Sequence, residues 1–163
     1  MAKPRAYVET TIVSYLTAWL SRDLVMAAHQ LITREWWVTC RERFDLVVSE
    51  LVVREAGAGD VEAARKRLEV LATIPLLQAT QETRTLAKEL IRTGALPTIA
   101  ADDAFHVAVA VTNGVNYLVT WNCRHIANGT MLPLIEKCCR DAGYEPVRIY
   151  TPEQLMENIS NDG

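Results

Sequence analysis

Between Thr98 and Val111 the chain reads TIAADDAFHVAVAV. Ala104, Phe105, Val107, Ala108, Val109, Ala110 and Val111 leave no polar face, and this predicts a buried helix closed by Asn113–Gly114. Elsewhere short β-branched runs alternate with helically spaced ones. Ala6–Val8 reads as a strand, followed by a helix over Ile12–Leu20 with Ile12, Tyr15, Leu16 and Trp19 in register. Leu24–Val38 reads as a second helix, with Leu24, Ala27, Ala28, Leu31, Ile32 and Trp36 on one side. Phe44–Val48 is a second strand, after which Ser49 and Asp60 are placed to cap two further helices. Ile74–Leu77 is a third strand, and Thr80–Thr93 an amphipathic helix that Gly94 stops. Val115–Thr120 and Val147–Tyr150 complete the strands, with a helix over Thr130–Asp141 between them and a last one opened by Thr151 and Pro152.

Strands alternating with helices predict an α/β fold with a mainly parallel sheet of about five strands. The 163 residues form one expected domain, 1–163, large enough for a full core. Half the residues are hydrophobic and no uncharged apolar run reaches membrane-spanning length, so no membrane partner is expected. Cys40, Cys123, Cys138 and Cys139 form no CxxC pair. They read as reduced thiols, and with no signal-like apolar stretch near MAKPRAYVE they imply a cytoplasmic location. A net charge of −3 argues against binding nucleic acid mainly through phosphate attraction.

The carboxylates change the picture. One Asp at the mouth of the Ala104–Val111 helix is an ordinary cap, but two beside an apolar run are costly to bury without a compensating positive group. In parallel sheets function collects at the carboxyl ends of the strands. Glu9 and Asn122 lie at such ends, Asp102 and Asp103 open the helix before the fourth strand, and Glu50 and Glu55 follow the second. Oxygen donors without a Cys or His cluster suit Mg²⁺ or Mn²⁺ and point to phosphodiester chemistry.

YVETT, SELVVREAGAGD, ADDAFHVAVA and LVTWNCRHI, in that order, resemble the PIN-domain fold, in particular the VapC-like toxins of bacterial toxin–antitoxin pairs. The resemblance spans nearly the whole chain. It implies a three-layer α/β/α fold, a Mg²⁺- or Mn²⁺-dependent endoribonuclease acting on RNA, a homodimer and a cognate antitoxin. It also places the family's four site positions on Glu9, Glu55 (with Glu50 as the alternative), Asp103 and Asn122. Two depart from the pattern: Glu9 stands where an Asp is usual, and Asn122 where the fourth acid is usual. Thr10, Asp102 and Arg124 are further candidates.

Each residue also has a plainer reading. Glu9 can cap a helix, Glu55 can be a solvated helix carboxylate, and Asn122 can be a turn residue. His106 can be a satisfied core histidine, and Arg124 and His125 can either touch phosphate or solvate a loop. Three classes of function follow: the ribonuclease toxin, a PIN-like RNA- or protein-binding module with little catalysis, and another α/β metal-dependent phosphoesterase.

Overall fold

The computed structural model describes the backbone of residues 2–161 and the side chains of residues 2–157. Four parallel strands form one sheet: β1 (Arg5–Val8), β2 (Asp45–Val47), β3 (Tyr117–Val119) and β4 (Arg148–Tyr150), in the order β2-β1-β3-β4. The helices are α1 (Thr10–Thr17), α2 (Leu24–Thr39), α3 (Glu50–Ala56), α4 (Val61–Leu71), α5 (Gln81–Arg92), α6 (Ala101–Thr112), α7 (Leu132–Asp141) and α8 (Pro152–Asn161). They pack in two groups, α1 against α2, α3 and α4 with α8 on α2, and α5 against α6 and α7. The expected three-layer α/β/α architecture is the one observed. Among the described residues no helix is long and apolar enough to cross a membrane.

The sheet has one strand fewer than the pattern predicts. Ile74–Leu77 contributes only a bridge, Val48 to Leu76, held by Val48 N–H to Pro75 O and Leu77 N–H to Val48 O. Pro75 has no N–H to continue a ladder, so the pairing stops there.

β1 and β3 are the central strands, and Tyr7, Val8, Leu118 and Val119 are fully buried. The chain leaves β1 for β2 on one side and returns to β3 on the other. The order therefore reverses between β1 and β3, and their carboxyl ends open a crevice at a topological switch point.

α6 is as buried as its pattern demands, with Ala104 and His106–Val111 inside. Neither of its acids caps it. The chain enters through a 3₁₀ turn at Thr98–Ala100, and Ala100 takes the cap position without a side-chain bond. Asp102 and Asp103 thus fall in the first turn, where the helix dipole favours negative charge.

α1 ends at Thr17, three residues before the expected limit, and leaves Trp19 exposed with Lys66 over its ring. α2 also departs from its pattern. It buries Gln30, Thr33 and Trp36, while Leu24, Leu31 and Val38 are 86%, 52% and 78% exposed. Buried polar groups are tolerated when bonded. Gln30 accepts from Ser21 N–H and donates to Trp19 O, and Thr33 accepts from Trp121 Nε1 at 2.7 Å. These bonds fasten α2 to the α1–α2 connection and to the chain leaving β3, so they set its rotation.

Two substitutions, two residues apart on α2, separate these faces. Trp36→Ala is expected to cost about 3–5 kcal/mol, the range for a buried large aromatic. Val38→Ala is expected to stay within about 0.5 kcal/mol, as for an ordinary surface change. Denaturant unfolding of both variants checks the assignment, and equal losses would show that α2 is rotated otherwise.

Candidate active site

Glu9 directly follows β1 and is only 4% exposed. Its backbone N–H donates to Val119 O, and its Oε2 accepts from Thr11 N–H at 2.6 Å. It therefore caps α1 while sitting at the crevice, so its two readings coexist. Burial pushes the Glu9 carboxyl above the ordinary range; Glu55's charge adds to this, and His106 and the Thr11 bonds oppose it.

The second acid on this edge is Glu55. Its Oε1 accepts from Thr10 Oγ1 and is hydrogen-bonded to His106 Nε2, both at 2.7 Å. Partial burial pulls this carboxyl up. The bond to His106, the charge of that ring, Thr10 and Arg54 together outweigh it and hold Glu55 below the ordinary range. Glu50, five residues earlier, is exposed at the start of α3.

The plain reading of His106 is also correct, since the ring is 1% exposed and satisfied at both nitrogens. Nδ1 is hydrogen-bonded to Tyr7 Oη at 2.6 Å, and Tyr7 Oη to Ser49 Oγ at 2.8 Å. Ser49 was expected to cap α3; it occupies the cap position, but its hydroxyl turns to Tyr7 instead. Burial raises the Tyr7 hydroxyl far above its usual value, so Tyr7 stays protonated. With neutral His106, Ser49 donates to Tyr7 and Tyr7 to Nδ1; with charged His106, both hydroxyl bonds reverse. The chain Ser49–Tyr7–His106–Glu55 is complete either way.

Asp103, one turn before His106 on α6, forms a second group. Its Oδ1 accepts from Asn122 Nδ2 at 2.9 Å, and its Oδ2 is hydrogen-bonded to His125 Nδ1 at 2.8 Å. Asn122 Oδ1 accepts from His125 N–H at 3.0 Å, and Asn122 O accepts from Ile126 and Ala127 N–H. Asn122 is thus a turn-former as well as a partner of Asp103, and its amide oxygen faces the loop. Trp121 N–H donates to Thr11 Oγ1, which stitches this loop to α1 beside Glu9.

Asp102 and Arg124 are exposed. Tyr7 has no place in the expected site, Ser49 is expected only as a cap, and His125 only as a phosphate contact or loop residue. His125 carried a signal, three residues after Asn122 in a loop at a strand exit, but nothing local joins Tyr7 to a histidine 99 residues away.

No family model matches the chain, and no curated protein matches it. Among the described residues, no group of three or more His, Cys, Asp or Glu side chains stands ready to hold a metal ion. The acids instead form two hydrogen-bonded groups at one edge.

Tyr7→Phe keeps the ring but leaves His106 Nδ1 and Ser49 Oγ without their shared partner. A loss of about 1–3 kcal/mol is expected, the cost of stranding buried polar groups, readable by denaturant unfolding; a neutral result would show that the chain holds nothing.

Glu9 supplies a pH-dependent test. A carboxyl raised in the folded state costs stability as pH climbs past its unfolded value of about 4.3. Glu9→Gln is therefore expected to raise the melting temperature at neutral pH, with the gain disappearing below pH ~4. A gain that does not vary with pH would refute the buried-charge account.

Proposed function

We propose that the chain is a Mg²⁺- or Mn²⁺-dependent endoribonuclease. One observation carries the reading: at the switch point where the strand order reverses, Glu9 leaves β1 within the field of Glu55, and Asp103 is hydrogen-bonded to Asn122 in the loop leaving β3. The donors suit a hard divalent cation. Glu9 is buried and feels the charge of Glu55, and the hydrogen bonds of each side chain engage one carboxylate oxygen. Mg²⁺ keeps several waters and needs only one or two protein carboxylates. Glu9 and Glu55 would hold the ion, with Asp103 as third acid of the edge. Bound there, the ion supplies an activated water and charge stabilisation at the leaving oxygen of a phosphodiester.

The chain's own residues do the positioning. Thr10 and His106 fix the bonded oxygen of Glu55. Asn122 and His125 orient Asp103 through both of its oxygens. Arg124 is exposed on the adjoining loop, where a guanidinium can meet RNA phosphate without reading sequence.

The partner proposals rest on α2. Leu24, Leu31 and Val38 stand seven residues apart and exposed, an apolar stripe of the kind that marks helix pairing. This supports a homodimer. A cognate antitoxin follows from the toxin reading. The alternative, a PIN-like binding module with little catalysis, draws on Asn122, whose amide replaces an acid and whose oxygen is engaged by His125.

Cleavage of single-stranded RNA in Mn²⁺ is expected to fall about 100-fold or more in Asp103→Asn. In Asn122→Asp two carboxylates face each other, so the metal-free protein should melt lower and Mn²⁺ should stabilise it more than it stabilises the unaltered chain. RNA cleavage that survives in Asp103→Asn, or none in the unaltered chain with either metal, would overturn the catalytic reading.

A further inference from the structure

Three aromatic rings lie against the crevice outside the machinery described so far. His29 of α2 stacks on Trp121, with centroids 4.0 Å apart and planes 10° from parallel. Tyr15 of α1 lies near-parallel to both, 6.3 Å from Trp121 and 6.4 Å from His29. Trp121 is the buried base of the group, anchored by its Nε1 on Thr33, while Tyr15 and His29 are half-buried.

Their position is set by the same stitches that build the site. Trp121 immediately precedes Asn122, and its N–H is bonded to Thr11, one turn before Tyr15 on α1. The Tyr15 hydroxyl is raised by its partial burial and then by the charges of Glu9 and Cys123.

The polar edges of the two outer rings are free. Among the described residues, neither the Tyr15 hydroxyl nor either nitrogen of His29 has a hydrogen-bond partner, and neither ring's polar atoms are shut off from solvent. Rigid, backed ring faces with open donor and acceptor edges suit a planar heterocycle. Beside a phosphodiester site, that heterocycle is a nucleobase.

We propose that Tyr15 and His29, backed by Trp121, form a stacking subsite for an unpaired nucleobase of single-stranded RNA, next to the carboxylate edge. The subsite rests on the ribonuclease reading. Stacking is tolerant of base identity because every base has a π-face, so the subsite selects unpaired over paired RNA rather than one sequence.

The test uses a short oligoribonucleotide carrying one 2-aminopurine, titrated with the full chain in a chelator so that no cleavage occurs. Stacking quenches 2-aminopurine, and anisotropy reports binding independently. The unaltered protein is expected to quench on binding. Tyr15→Leu and His29→Leu, which keep apolar bulk, are expected to lose the quenching and weaken binding about 5- to 150-fold, the span for base-stacking aromatics. Tyr15→Phe is expected to keep both. If Leu variants bind and quench as the unaltered chain does, the subsite is overturned while the ribonuclease reading stands. If Asp103→Asn binds and quenches but does not cleave, both readings are supported. If the unaltered chain neither binds nor cleaves RNA, both fall together. Should a Leu variant lose its near-ultraviolet dichroism, Tyr15→Phe and Tyr15→Trp decide, since loss of quenching with a ring present overturns stacking.

Discussion

The candidate site depends on the pairing of β1 with β3. Glu9 N–H to Val119 O is the last rung between them. Beyond it the two segments part, one into α1 and the other into the Trp121–Ala127 loop. The Trp121 N–H bond to Thr11 then holds the diverging chains together once more. Glu9 and Asn122 therefore sit at neighbouring strand exits, held there by the backbone. α6 brings Asp103 and His106 to the same edge, and its burial on all sides fixes its depth and rotation.

Glu9 and Glu55 feel each other's charge, and the three carboxylates of this edge are accommodated differently. Glu9 is buried and its carboxyl rises; Glu55 is compensated and its carboxyl falls; Asp103 is bonded through both oxygens. In a low-dielectric interior unpaired charges are expensive, so the polar chain Ser49–Tyr7–His106 matters to stability as well as to the site. A satisfied core histidine and a site histidine are therefore the same residue here. The bonds that satisfy His106 are the bonds that orient Glu55.

Much of this was legible in the chain. Alternating periods gave the α/β class, and the apolar run gave the burial of α6. Strand ends named Glu9 and Asn122, because catalytic groups gather there in parallel sheets. Glu50 against Glu55 was not decidable from spacing. Five residues around a helix differ by roughly 140°, so one of the two faces the site and the other cannot. Which one depends on how Leu51, Val52 and Ala56 seat α3 in the core. Asp102 and Asp103 pose the same problem at about 100°. The face of α2 was misread because hydrophobicity ranks Leu24 above Gln30, whereas Gln30 finds partners in the α1–α2 connection. The bond between Tyr7 and His106 crosses the sequence at a distance that no local pattern encodes.

Asn122 shows where structural and chemical demands meet. Its amide donates to Asp103 while its oxygen accepts from His125 N–H, an arrangement that needs one donor and one acceptor on a single side chain. An ionised Asp can supply only acceptors. It would keep the loop bond and turn its other oxygen against Asp103, a repulsion that a cation or a shared proton between them relieves. The amide makes the edge self-sufficient without a cation, and gives up a negative charge to do so. On the proposed metal reading, the residue at this strand exit would set how strongly the crevice attracts a cation, while the position of Asp103 itself is secured by protein hydrogen bonds. An acid at 122 would add repulsion to this edge; the asparagine leaves it satisfied by protein hydrogen bonds alone.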